Sequence, residues 1–309
     1  MGGHGDAAVL QAVASFHPNI PVRPALPMTF AGHQARKRFG QHWLTDPQVL
    51  DRIVAAAELQ PGERVLEIGP GRGALTERLL ASTAATVVAV ELDRDLLAGL
   101  EQRFGADPRF RLIGGDALAV PLEPCDQPQA DKVVANIPYN ITGPLLERLL
   151  GRLERPRTPP YRRLVLLMQR EVGERICATP GSGAYAALSV RLRLLASCRS
   201  ICVVPPRCFN PPPKVHSEVI AIDPLPADQR PSPELCRTVE RLLRAAFAAR
   251  RKMLHNSLAP LVADDQLGPL AAEAGIDLRR RPQELGPEAW LALAAGLNRC
   301  SAAAKGAIA

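Results

Sequence analysis

The sequence has no apolar run approaching the roughly 18 residues that cross a bilayer. An integral membrane protein is therefore not expected. Aromatic residues are scarce, at 4 % of the chain, so each one carries more weight as a packing or stacking candidate. Lysine is nearly absent, because 33 of the 38 basic residues are arginine. Cysteine is present but unpatterned. The seven stand at 125, 177, 198, 202, 208, 236 and 300, and none forms a Cys-x-x-Cys pair. No His-x-x-x-His accompanies them, so neither a zinc site nor a disulfide framework is expected. Structural thiols in a reducing, cytoplasmic setting are the plain reading, with no metal and no membrane partner. The first 34 residues show no charged-then-apolar signal pattern, and Arg23 is their one arginine.

What remains is a chain of 309 residues, 47 % hydrophobic, enough for one or two domains with a sizeable core. The net charge is +7, a bias toward a polyanionic partner. Arginine makes planar, bidentate contacts with phosphate and so suits RNA. A genome-wide compositional bias would give the same ratio. Proline, at 30 residues, gathers in a few places. One is Pro18 to Pro27, and residues 1–34 read as a disordered or loosely attached extension.

From about residue 61, strand-length apolar runs alternate with helical patterns. Strands are expected at Arg64 to Gly69, Thr86 to Leu92, Arg109 to Gly115, Lys132 to Ile137 and Leu164 to Met168. Helices are expected at Ala74 to Ala81, Asp93 to Phe104, Pro144 to Leu153, Glu171 to Ala178 and Tyr185 to Ala196. Ser200 to Val204 and Glu218 to Ile222 read as a closing strand pair. Their connection, through Pro211-Pro212-Pro213, is short and favours an antiparallel pairing. The alternation implies a mainly parallel sheet covered on both faces. Pro224, Pro226, Pro231 and Pro233 mark a linker, after which only helical patterns follow. The expected division is an α/β domain over 35–223, a small helical domain over 224–300 and a flexible tail over 301–309.

Glu67-Ile68-Gly69-Pro70-Gly71-Arg72-Gly73 lies between a strand and a helix. Glycines let the backbone turn tightly and approach a ligand, and the helix N-terminus favours a negative group. A nucleotide site and a plain tight turn both remain open on this motif alone. The Gly-x-Gly-x-Gly spacing is not the dinucleotide pattern. Glu91 ends the second strand, where a carboxylate can accept both ribose hydroxyls. Asp116 ends the third and can accept an adenine amino group. Together these describe an S-adenosylmethionine site, while either acid alone is equally a solvated strand cap.

The fourth strand runs into Asn136-Ile137-Pro138-Tyr139. An exocyclic adenine amine is a poor nucleophile, because its lone pair is delocalised into the ring. Hydrogen bonds from both of its N–H groups to the Asn136 side chain and the Ile137 carbonyl would localise that pair. Pro138 fixes the turn, and Tyr139 offers a ring face to a flipped base. Catalysis is then positioning and desolvation rather than strong base chemistry. The competing reading is an Asn-Pro turn with Tyr139 as core filler.

The ordered blocks resemble the ribosomal small-subunit RNA adenine dimethyltransferases, the KsgA/Dim family, from about Ala35 to Leu258 and more loosely to Leu297. They are Arg36-Lys37-Arg38-Phe39-Gly40-Gln41-His42-Trp43-Leu44-Thr45-Asp46, Glu67 to Gly71, Glu91-Leu92-Asp93 and Asn136 to Ile141. Met168 to Val172, Tyr185 to Val190, Val204 to Val215 and Phe247 to Lys252 complete the set. The resemblance implies a Rossmann-like class I methyltransferase fold, a seven-stranded mainly parallel sheet with a small C-terminal α-helical domain. It implies transfer of two methyls from S-adenosylmethionine to N6 of each of two adjacent adenines. These lie in a hairpin loop near the 3′ end of 16S rRNA in the immature 30S subunit. The family's cofactor positions fall on His42, Leu44, Gly69, Glu91, Asp116 and Asn136. Its base-stacking pair falls on Tyr139 and Phe209.

Some residues depart from the family pattern. His42 stands where many relatives carry asparagine, Ile137 where leucine is usual, and His216 where an acid is common. A lone histidine at a strand start is not read as a catalytic base. The basic groups expected to meet RNA are Arg36-Lys37-Arg38 and Arg250-Arg251-Lys252, the second being equally a solvated helix face. Rival readings are a large-subunit adenine dimethyltransferase of the antibiotic-resistance branch and a non-catalytic assembly factor. A monomer is the default.

Overall fold

Expected strands and helices recur in the computed structural model, which describes residues 41–122 and 128–306. The extension over 1–34, the Arg36-Lys37-Arg38 cluster and Cys125 lie outside the described residues. The chain runs β1 (Trp43–Leu44), α1 (Pro47–Ala57), β2 (Arg64–Ile68), α2 (Ala74–Ala81), β3 (Thr86–Glu91), α3 (Arg94–Phe104) and β4 (Phe110–Gly114). It continues with β5 (Lys132–Asn136), α4 (Thr142–Leu150), β6 (Gly151–Arg152), β7 (Arg155–Pro156), β8 (Arg163–Gln169), α5 (Arg170–Cys177) and α6 (Ala187–Leu195). It closes with β9 (Ala196–Val204), β10 (Phe209–Asn210), β11 (Ser217–Pro224), α7 (Pro233–Ala248), α8 (Leu254–Leu258), α9 (Asp264–Glu273) and α10 (Pro287–Gly306).

Three local differences from the sequence reading have clear causes. No element was expected over 47–57, yet α1 forms there because Asp46 caps it. The Asp46 carboxylate accepts the Gln48 and Val49 amides at 3.0 and 3.1 Å, and Pro47 occupies the first turn. Strand β9 begins at Ala196, four residues before Ser200, because its ladder with β11 extends to the Ala196–Pro224 pair. The expected flexible tail is helical as far as Gly306, as a continuation of α10.

Seven strands form one sheet in the order β4-β3-β2-β5-β8-β11-β9. Pairings among β4, β3, β2, β5 and β8 are parallel. Strand β11 is antiparallel to both β8 and β9, the β9 pairing being the one the short proline connection favours. Central strands are mostly apolar, and Leu66, Val88, Val133 and Leu164 are fully buried between helical layers. The chain moves outward from β2 to β4, then returns to β5 on the other side of β2. That reversal opens a crevice beyond the carboxyl ends of β2 and β5, where ligands bind in open α/β sheets.

The C-terminal helices have their own apolar cluster. Val239, Leu242, Leu243 and Ala246 of α7 follow helical spacing and meet Trp290, Leu293 and Ala294 of α10. Tyr185, Val190 and Leu194, which precede residue 224, belong to the same cluster. The described residues all fall in one compact unit. Among them no helix is long and apolar enough to cross a membrane.

Candidate active site

Four strand ends converge on the crevice at the reversal point. Gly69 and Gly71 follow β2, Glu91 ends β3, Asp116 follows β4 and Asn136 ends β5, and all five line one cleft. Gly69 and Gly71 have φ of +69° and +59°, a region that L side chains rarely adopt. A Cβ on Gly71 would stand 2.8 Å from Trp43 Cδ1. The loop is therefore shaped against the Trp43 ring, which also carries the Arg72 guanidinium 4.0 Å from its centre.

The acids are held by backbone donors. Glu91 is buried, and it accepts the Gly71 amide at 3.0 Å and the Asp93 amide at 2.8 Å. Burial raises its pKa, and those amides work in the opposite direction. Asp116 is exposed and accepts the Leu118 amide at 2.8 Å. Beneath the loop, Glu67 is pushed up to about 8, chiefly by burial, with the Glu91 charge adding to the effect. The Thr76 hydroxyl donates to Glu67 Oε2 at 2.7 Å. Its Oε1 is buried with no hydrogen-bond partner among the described residues.

The Asn136-Ile137-Pro138-Tyr139 turn forms the cleft wall beside Gly69, where a Cβ would lie 3.7 Å from the Asn136 carbonyl oxygen. Asn136 Nδ2 donates to the His42 carbonyl at 3.0 Å. This sets the planar amide so that Oδ1 is the atom turned away from His42. The Tyr139 hydroxyl pairs with Ser217 Oγ at 2.6 Å. Burial raises the phenol pKa, so the ring stays neutral. A ribbon closes the cleft from the side, where β1 pairs with β10 through Trp43–Asn210 and Leu44–Phe209. Thr45 donates its amide to the Cys208 carbonyl at 2.8 Å, and the Cys208 thiol donates to Asp46 Oδ2 at 3.2 Å.

The family model for ribosomal RNA adenine dimethylases matches residues 32–298. The chain belongs to this family. A ribosomal RNA small subunit methyltransferase A from Synechococcus sp. (strain WH7803) is 65 % identical over 90 % of this chain and 99 % of its own length. The protein of the same name from Parasynechococcus marenigrum (strain WH8102) is 67 % identical over 88 % of this chain and 90 % of its own. Among solved structures, a dimethyladenosine transferase from Plasmodium falciparum superposes with a TM-score of 0.67. It is 26 % identical and covers 84 % of this chain and 98 % of its own. The 23S rRNA methyltransferase ErmE also gives 0.67, at 25 % identity, over 83 % of this chain and 99 % of its own. The class I methyltransferase fold expected from the sequence is the fold found.

Within this cleft the structure brings together His42, Gly69, Glu91, Asp116, Asn136, Ile137, Pro138 and Tyr139. It does not bring in the side chains of Leu44 and Phe209. Each is 4 % exposed and absent from the cleft lining. They face one another across the β1–β10 ladder, so the ribbon packs them inward. Sequence reasoning missed Trp43, which roofs the glycine loop. It also missed Gln41, whose amide donates to Asp93 Oδ2 at 3.0 Å, and Leu92, a 46 % exposed apolar residue on the cleft. The signal was available in adjacency, because Gln41 and Trp43 flank His42 and Leu92 follows Glu91.

The residues present fit a nucleoside-bearing cofactor. Side-chain-free backbone at Gly69 and Gly71 shares one cleft with two carboxylates at neighbouring strand ends, Glu91 and Asp116. Among the described residues no group of His, Cys, Asp or Glu is arranged to hold a metal ion.

Proposed function

We propose that this chain is an S-adenosylmethionine-dependent dimethyltransferase for N6 of two adjacent adenines in the hairpin loop near the 3′ end of 16S rRNA. It acts on the immature 30S subunit. The observation that carries this reading is the alignment with proteins named ribosomal RNA small subunit methyltransferase A. They match at 65 % identity over 99 % of the relative's length, with the Asn136 to Tyr139 turn on the cleft wall. The large-subunit alternative rests on ErmE, which is 25 % identical. The intact loop, acids and Asn136 speak against a non-catalytic assembly factor.

Bound S-adenosylmethionine supplies an electrophilic methyl group. Glu91 would hold its ribose hydroxyls and Asp116 its adenine amino group, with Gly69 and Asn136 beside them. The target amine donates one N–H to Asn136 Oδ1 and the other to the Ile137 carbonyl, which turns its lone pair toward the cofactor. Tyr139 stacks on the flipped base, worth about 1–3 kcal/mol. Orientation of the amine toward the methyl group supplies the remaining advantage. After transfer the amine releases its proton to solvent, so no side chain acts as a strong base. Phe209 joins the base only if the β1–β10 ribbon opens. Arg250-Arg251-Lys252, all exposed, would meet the rRNA backbone.

The test is labelled methyl transfer to unmethylated small subunits, unmethylated large subunits and naked rRNA. Dimethyladenosine in small-subunit RNA, reduced at least 100-fold by Asn136→Ala, supports the reading. Label confined to large-subunit RNA would assign the chain to the ErmE-like branch. No label, with cofactor binding intact, would favour the assembly factor.

A further inference from the structure

The family resemblance places His42 at the cofactor, but its imidazole is engaged elsewhere. The ring stacks on Tyr139, with centroids 5.7 Å apart and planes inclined by 27°. Its Nδ1 lies 2.8 Å from the Pro211 carbonyl, on the loop that follows Phe209. Its own backbone carbonyl is the acceptor that orients Asn136. One residue thus touches the base-stacking ring with its side chain, the catalytic amide with its main chain, and the neighbouring loop with its ring nitrogen.

The spacing decides how the ring can act. Stacked rings sit at least about 4.5 Å apart, centre to centre. A base inserted between His42 and Tyr139 would need about twice that distance, and only 5.7 Å is present. The imidazole therefore occupies one face of Tyr139, so a stacked base must take the opposite one. The Tyr139 hydroxyl is pinned by Ser217, which fixes the tip of the ring. Stacking against His42 fixes its tilt. Asparagine, usual at this position in relatives, would offer a polar group to Pro211 but no face to Tyr139.

We propose that His42 is a positioning residue for the target adenine, its imidazole backing Tyr139 on the face opposite the base. This inference rests on the adenine-methylation reading above. It predicts an effect on RNA recognition rather than on the cofactor, because substituting the side chain leaves the carbonyl that holds Asn136 in place.

The test compares full-length wild type, His42→Ala, His42→Asn and His42→Phe on unmethylated small subunits. Cofactor affinity is measured separately by calorimetry. His42→Ala and His42→Asn should raise KM for the particle about 2- to 10-fold, the size of one aromatic pair. Cofactor Kd and kcat should stay within twofold. His42→Phe, which keeps a ring but not the Pro211 contact, should restore KM. The proposal is overturned if His42→Asn matches wild type or if His42→Phe is as impaired as His42→Ala. It is equally overturned if cofactor Kd weakens in step with KM. Failure of wild type to methylate the particle would overturn the functional reading itself, whereas an active wild type with an unchanged His42→Ala overturns this inference alone.

Discussion

Replacing Glu67 by glutamine should flatten the pH dependence of this protein's stability. Glu67 is 1 % exposed at the end of β2, directly under the glycine loop. Burial and the nearby Glu91 move its carboxyl from 4.5 to about 8, against the opposing Thr76 hydrogen bonds. The folded state therefore holds a proton that the unfolded chain releases above about pH 4.5. The stabilisation is complete below that value and is lost progressively as pH rises to about 8. Integrated over the window, the loss is on the order of 5 kcal/mol for this group alone. Glutamine is neutral throughout and nearly isosteric, so Glu67→Gln has no such loss. Urea unfolding at pH 5, 6.5 and 8 reads this directly, each stability obtained by linear extrapolation. The wild-type curve should fall by several kcal/mol more than the variant's between the outer points. Parallel curves would show that Glu67 ionises in the fold as easily as in water, and the burial argument would be wrong.

The remaining predictions concern the cleft and the opposite end of the sheet. Gly71→Ala forces a left-handed residue, at about 1–2 kcal/mol, and drives a Cβ to 2.8 Å from Trp43. Urea unfolding should show the folded state destabilised by about 1–2 kcal/mol from the backbone cost alone. Trp43→Phe should abolish any fluorescence change on cofactor binding, because the other tryptophan, Trp290, is fully buried in the helical cluster. A response persisting in Trp43→Phe would place the signal outside the cleft. Below the sheet, Lys132 Nζ and Glu63 Oε2 form a 2.7 Å pair with both side chains under 10 % exposed. Lys132→Met leaves Glu63 with the exposed Arg162 at 3.4 Å as its remaining cation and should cost about 3 kcal/mol in urea unfolding. Methyl transfer below the new midpoint should be unchanged, since this pair lies at the amino ends of the strands, away from the cleft.

Much of the chemistry was legible because it is written in short contiguous blocks. A strand ending in Glu67-Ile68-Gly69-Pro70-Gly71 must turn tightly, and strand ends at Glu91, Asp116 and Asn136 must share one edge of a parallel sheet. Strand β9 was less legible, since its start at Ala196 depends on pairing with β11 rather than on local composition. Helix α1 was not legible because its start rests on a single cap, Asp46, whose carboxylate only the fold shows accepting the Gln48 and Val49 amides.

The sequence by itself determined the alternation of strands and helices, the order of the glycine loop and acids, and the tetrapeptide suited to an adenine amine. Periodicity, turn residues and residue chemistry act over a few positions, so they can be read from them. Tertiary structure alone decided which ring faces which. It buried Leu44 and Phe209 against each other in a two-stranded ribbon, set Trp43 over Gly71, and stacked His42 on Tyr139. Those contacts join residues as far apart in the chain as Leu44 and Phe209, and no local pattern encodes the angle at which two distant rings meet.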